Sequence, residues 1–232
     1  MTQRIAVYNR ASAPLGIDLV AFVAALNAYV AAAVQPAWNV SAELHVTDGP
    51  VAGEWGLVFL DNADVPGALA YHDEETGAPL AKVFVETIRQ ANSSLTVAAS
   101  HELVEMLVDP LCVCYATTDT PGTLYALEPA DPVEDDALGF QVDGFLMSDF
   151  VYPAWFDRTA AGHPNVRYDH VGAVTLTRPF QVLPGGYVIQ LVGGAVSEVF
   201  GSSAKATAFA AEDRRGHRSE YRRAVAEGRA CS

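Results

Sequence analysis

Apolar and polar positions divide the chain into short strand-like runs and two long stretches of helical spacing. Arg4–Tyr8 (RIAVY), Glu43–Val46 (ELHV) and Trp55–Leu60 (WGLVFL) are brief apolar runs bounded by turn residues, which predicts strands. Leu15–Val34 is Ala-rich with apolar residues at helical spacing, predicting a helix that stops before Gln35-Pro36 and packs on the sheet. Ala68–His72 (ALAYH) is short and more polar, as an edge strand should be. Thr76-Gly77 then turns the chain and Lys82–Val85 (KVFV) returns it to the sheet. Further on, Leu124–Leu127 reads as strand-like, and Gly139–Asp157 alternates as a hairpin around Asp143-Gly144. Ala173–Val192 reads as two strands about Pro184-Gly185-Gly186.

The second helical stretch is Ser94–Pro110, SLTVAASHELVEMLVDP. Ser93 or Ser94 can cap its start, and Asp109-Pro110 closes it. At about 100° per residue, Ser94, Ala98, His101, Glu102, Glu105 and Asp109 share one narrow stripe, while the remaining circumference is almost wholly apolar. A helix apolar nearly all round is a buried helix. Its stripe therefore buries three carboxylates and an imidazole, and the segment contains no Lys or Arg. Buried like charges are costly unless protonated or bound to a cation, and a metal ion is the simplest cation that fits. His101 and Glu105, one turn apart, can reach one ion; Glu102 points beside it, placed to take a proton from a metal-bound water.

Composition changes the picture at three points. Half the residues are hydrophobic and 18% are charged, which marks a globular chain with ample length for a core. Residues 200–232 hold seven basic and four acidic residues, a formal +3, which leaves −17 of the net −14 on residues 1–199. So acidic a body excludes nucleic-acid binding by that part and favours cations and basic partners, whereas the basic tail suits docking on an acidic neighbour, another copy included. Cys112, Cys114 and Cys231 form no disulfide framework. The first ten residues lack the apolar core of a signal peptide, and no unbroken run of about 18 apolar residues occurs. Cytoplasmic synthesis, with no membrane partner, is the expectation.

More ligands must come from elsewhere. Glu128, Asp131, Glu134, Asp135 and Asp136 cluster after the Leu124–Leu127 run. Glu134 to Asp136 read as a solvated loop. Glu128, at the end of an ordered strand, is the expected third ligand, with Asp131 an alternate ligand or a partner orienting His101. Zinc is the first choice because an imidazole is present, with calcium or manganese the alternatives given the carboxylates.

Residues 1–135, with HELVE and the following DP, resemble the zincin metallopeptidases, in which a twisted sheet with one edge strand backs a helix carrying HExxH. More narrowly, HELVEMLVDP, LEPADPVEDD and Met147-Ser148-Asp149-Phe150 are similar to zincin-like proteins encoded by tailed bacteriophages. The resemblance implies a metal-binding α/β (α+β) domain over residues 1–172: a twisted mixed sheet with an antiparallel edge strand, a backing helix and a buried motif helix. A β-hairpin extension over 173–199 and a basic tail over 200–232 would follow. It implies a metallopeptidase in which Glu102 is the general base and the edge strand aligns a peptide substrate. The alternative is a weakly active or inactive structural component of a virion, self-associating or bound to other virion proteins. Glu105 in place of the second histidine favours the structural reading, because a carboxylate ligand acidifies a bound water less than a neutral imidazole does.

Overall fold

The computed structural model describes residues 2–64, 68–75, 77–118, 120–163, 165–172 and 176–204. Strand β1 (Gln3–Asn9) leads into a helix that Asp18 caps, its carboxylate accepting from Val20 N at 2.9 Å and Ala21 N at 3.1 Å. That helix runs as α1 (Leu19–Tyr29), a π-helical segment (Val30–Val34) and α2 (Gln35–Trp38). Pro36 therefore does not stop it. The proline falls in the first turn of α2, directly after the widened π segment, where a missing N–H and a bulky ring are best tolerated. Asn39 ends the helix instead, in left-handed conformation with φ 55°.

By length and composition alone the span Leu19–Trp38, with mean hydropathy 1.7, could cross a bilayer, a test that the core helix of a soluble protein also passes. Here it backs the sheet. Phe22, Leu26, Tyr29, Val30 and Val34 are buried in the core, and Asn27 clasps Leu44 of the neighbouring strand through both its amide nitrogen and its oxygen, each at 2.8 Å.

The main sheet has the order β2-β1-β3-β5-β4, with β2 (Ala42–Val46), β3 (Trp55–Leu60), β4 (Ala70–Glu75) and β5 (Ala78–Phe84). Four strands are parallel, and β4 is an antiparallel outer strand pairing His72 with Ala81. The fold is thus α+β, with a mixed sheet and the antiparallel edge strand foreseen, two residues later than its sequence suggests. Helix α3 (Val85–Gln90), which no sequence signal separated from β5, follows without a loop. Then comes α4 (Leu95–Val108), with Ser94 Oγ capping Val97 N at 3.3 Å. Ile5, Val7, Leu57, Phe59, Ala81 and Val83 line the sheet face on which α1 and α4 both pack.

A second sheet, β11-β10-β7-β6, is built from β6 (Tyr115–Thr117), β7 (Thr123–Ala126), β10 (Tyr187–Val192) and β11 (Ala195–Phe200). The predicted C-terminal hairpin is displaced along the chain: its turn is Gly193-Gly194, at φ 56° and 87°, not Pro184-Gly185-Gly186. Both glycines take the positive φ that a two-residue hairpin turn requires. Strand β10 pairs with β7, so the hairpin joins the body through Gln190 and Tyr125. The small hairpin β8 (Phe140–Val142) and β9 (Phe145–Met147) turns at Asp143-Gly144 as predicted, and β9 lies against α4. Most of the basic tail, residues 205–232, falls outside the described residues.

Candidate metal centre

Helix α4 lies between the main sheet and the chain leaving β7, and its polar stripe faces that junction. His101, Glu102, Glu105, Asp109 and Asp131 are each at most 6% exposed, so the stripe is buried as its apolar surroundings require. His101 Nε2 stands 3.4 Å from Glu105 Oε1 and 3.3 Å from Asp131 Oδ1. The Asp131 backbone N–H donates to the same Glu105 oxygen at 3.2 Å, which fixes that carboxylate between the two partners. These three side chains bring their donor atoms within 4.8 Å of one another. The separations from His101 are longer than the usual N–H···O distance of about 2.9–3.0 Å. They match the roughly 3.4 Å between two donors each about 2.0–2.1 Å from a tetrahedral ion.

The electrostatics say the same thing. Burial works against a charge on His101, but Glu105, Asp131 and Glu102 outweigh it and hold the imidazolium well above its ordinary pKa. The site therefore demands positive charge, which either a proton on His101 or a divalent ion supplies.

Asp131 is presented by a 3₁₀ turn, Asp131–Val133, with Val133 N bonded to Ala130 O at 3.1 Å and Val151 N to Pro129 O at 2.8 Å. Gly186 packs directly on this turn. A Cβ there would sit 2.3 Å from Pro132 O, so only glycine permits the approach. The PGG sequence thus serves the site and not a hairpin.

Glu128, expected as the third ligand, is grouped instead with His72 and Cys112, all three buried and with donor atoms within 4.8 Å of one another. Glu102 Oε2 lies 3.1 Å from His72 Nδ1, and a third grouping, His72, Glu102 and Glu105, links the two sets into one seam. Neither His72 nor Cys112 stood out in the sequence. The signals were weak: a histidine at the end of a short edge-strand pattern, and a cysteine shortly after the Asp109-Pro110 helix stop. Asp109 acts as a turn residue, its two carboxylate oxygens accepting from Val113 N at 3.0 Å and Cys114 N at 2.9 Å. Asp136 is less bland than its loop suggested, since its carboxylate accepts from Ser94 N at 2.8 Å, at the start of α4.

The later aromatic and histidine residues are engaged in packing. His170 Nδ1 contacts Tyr152 Oη at 3.1 Å and its ring stacks on Phe150, while Tyr168 donates to Ala160 O at 3.1 Å. Asp149 is buried with Asp169, and it accepts from Phe150 N at 2.8 Å and Val171 N at 3.0 Å. Burial, with Asp169 alongside, pushes the Asp149 carboxyl up to about 7. No protein-family model, curated protein or solved structure matches this chain.

Proposed function

We propose that this chain is a zincin-like metal-binding protein that holds a divalent ion, zinc first and calcium or manganese next, between His101, Glu105 and Asp131. The observation that carries the reading is the spacing of those three donors about a common point in a buried, acid-rich seam. The ion would neutralise two carboxylates and cross-link α4 to the turn after β7, and a site so enclosed suits a structural ion. The protein is then a weakly active or inactive structural component, of the kind implied by its resemblance to bacteriophage virion proteins, assembling with other copies or other virion proteins.

One observation favours a peptidase as the second reading. Glu102 adjoins His101 on the helix and bonds His72, so its carboxylate is oriented beside the ligand set without belonging to it. A bound ion would supply charge to the scissile carbonyl, and Glu102 would accept the proton of the attacking water. Elemental analysis of purified protein tests the site: His101→Ala should lose about one ion per chain and melt at a lower temperature. Full retention of metal by the double variant His101→Ala, Glu105→Ala would remove the assignment.

A further inference from the structure

We propose that His72, Cys112 and Glu128 form a second, softer cation site with a preference for zinc-class ions. It shares no ligand with the His101 site and stands independently of the function proposed above.

His72 Nε2 is 3.2 Å from Cys112 Sγ. A tetrahedral zinc with nitrogen at about 2.0–2.1 Å and sulfur at about 2.3 Å sets those atoms roughly 3.5 Å apart. The Glu128 carboxylate lies within 4.8 Å of both, and all three side chains are at most 2% exposed.

The histidine is oriented for the task. Its Nδ1 faces Glu102 Oε2 at 3.1 Å, so a proton shared there leaves Nε2 as the atom turned to the sulfur. A carboxylate behind a ligating imidazole, fixing its tautomer and raising its basicity, is the usual companion of a zinc-bound histidine. In the ion-free protein Nε2–H donates to the Asp109 carbonyl at 3.0 Å, so an ion at Nε2 takes the place of that proton and has the carbonyl oxygen beside it.

The cysteine is held in place at some cost. Cys112 adopts φ 53°, a left-handed conformation that side chains other than Gly, Asn and Asp rarely take. It is kept there by Cys112 N donating to Asp109 O at 3.1 Å and by the Asp109 carboxylate gripping the next two backbone N–H groups. The result turns Sγ inward beside His72, whereas Cys114, two residues on, is exposed. Strain of this kind persists where surrounding structure over-determines it and gathers at binding sites.

The donor set decides the ion. Thiolate, imidazole and one carboxylate suit zinc, whereas the His101 site, with one nitrogen and two carboxylate oxygens, also accepts harder ions. On binding, the Cys112 thiol and the His72 Nε2–H each give a proton to solvent, and the freed sulfur and nitrogen lone pairs form the metal bonds.

Full-length protein stripped by chelator and titrated with Co²⁺ tests this, because only a cysteine-ligated site gives a sulfur-to-cobalt charge-transfer band in the near ultraviolet. The band should grow to about one equivalent and be quenched by Zn²⁺. It should vanish in Cys112→Ser and persist in Cys114→Ser, Cys231→Ser and His101→Ala. Its absence from wild type, or its survival in Cys112→Ser, overturns the proposal. If Cys112→Ser fails to fold by circular dichroism, Glu128→Gln decides: zinc affinity in chelator competition should fall at least about tenfold, and unchanged affinity overturns the site. A lost band with an ion still removable by His101→Ala would sink this inference alone. The converse pattern would sink the His101 site alone.

Discussion

His101 and Glu102 are neighbours in sequence with different work, because one residue along a helix turns a side chain by about 100°. His101 faces Glu105 and Asp131, whereas Glu102 reaches back to His72 on β4. Glu102→Gln should therefore leave the ion at the His101 site near wild-type content. Any hydrolysis of unfolded protein by the wild type should fall at least about 10²-fold in this variant. Activity that survives it excludes Glu102 as the base. Leu103, on the apolar side of the same turn, is fully buried. Leu103→Ala should cost about 2–5 kcal/mol in denaturant unfolding with little change in metal content per folded chain.

Among the elements, the turn carrying Asp131 is the one whose placement is least local. It follows β7, but its position is held by Val151, by Glu105 on α4 and by the backbone around Gly186. Gly186→Ala puts a methyl group into Pro132 O and must push the Asp131–Val133 turn away from α4. The variant should melt lower than wild type and bind its first ion at least several-fold more weakly. Equal affinities by competition titration would show that the turn yields elsewhere. Much of the element order was legible beforehand, because β1, β2, β3 and α4 each carry a complete local signal. The displaced C-terminal hairpin was not, since Gly185-Gly186 and Gly193-Gly194 both read as turns and only pairing with β7 chooses between them.

For the molecule as a whole, Asp149 ties stability to pH. Its carboxyl is pushed from an ordinary value of 3.8 to about 7, by burial first and by Asp169 second, so the folded state holds a proton that the unfolded chain releases. A group raised in this way contributes stability fully present below about pH 3.8 and lost as pH rises through about 7. The loss should be on the order of 2–4 kcal/mol. Urea midpoints for wild type should decline across that window relative to Asp149→Asn, whose amide can donate to Asp169 at every pH. Parallel profiles would mean that the pair shares no proton. The formal −17 on residues 1–199 and +3 on 200–232 should favour tail-to-body contacts between copies, screened over about 8–10 Å at physiological salt. Light scattering should give a larger mass for the full chain at low salt than for a chain lacking residues 212–232. Equal masses at every salt concentration would leave the tail without a role in assembly.

What the sequence determined by itself was whatever a periodicity or a cap can encode: the strands of the main sheet, a buried α4 with Ser94 at its start, and one stripe gathering His101, Glu102 and Glu105. Local spacing suffices there because the donors lie within one helical turn. Tertiary structure decided the rest. It chose Asp131 over Glu128 as the partner of His101, since the 3₁₀ turn after β7 swings one acid toward Glu105 and leaves the other beside β4. It also brought His72 and Cys112 together, 40 residues apart, through the antiparallel edge strand and the Asp109 turn. Contacts of that kind depend on sheet order and backbone approach, which no short window of sequence contains.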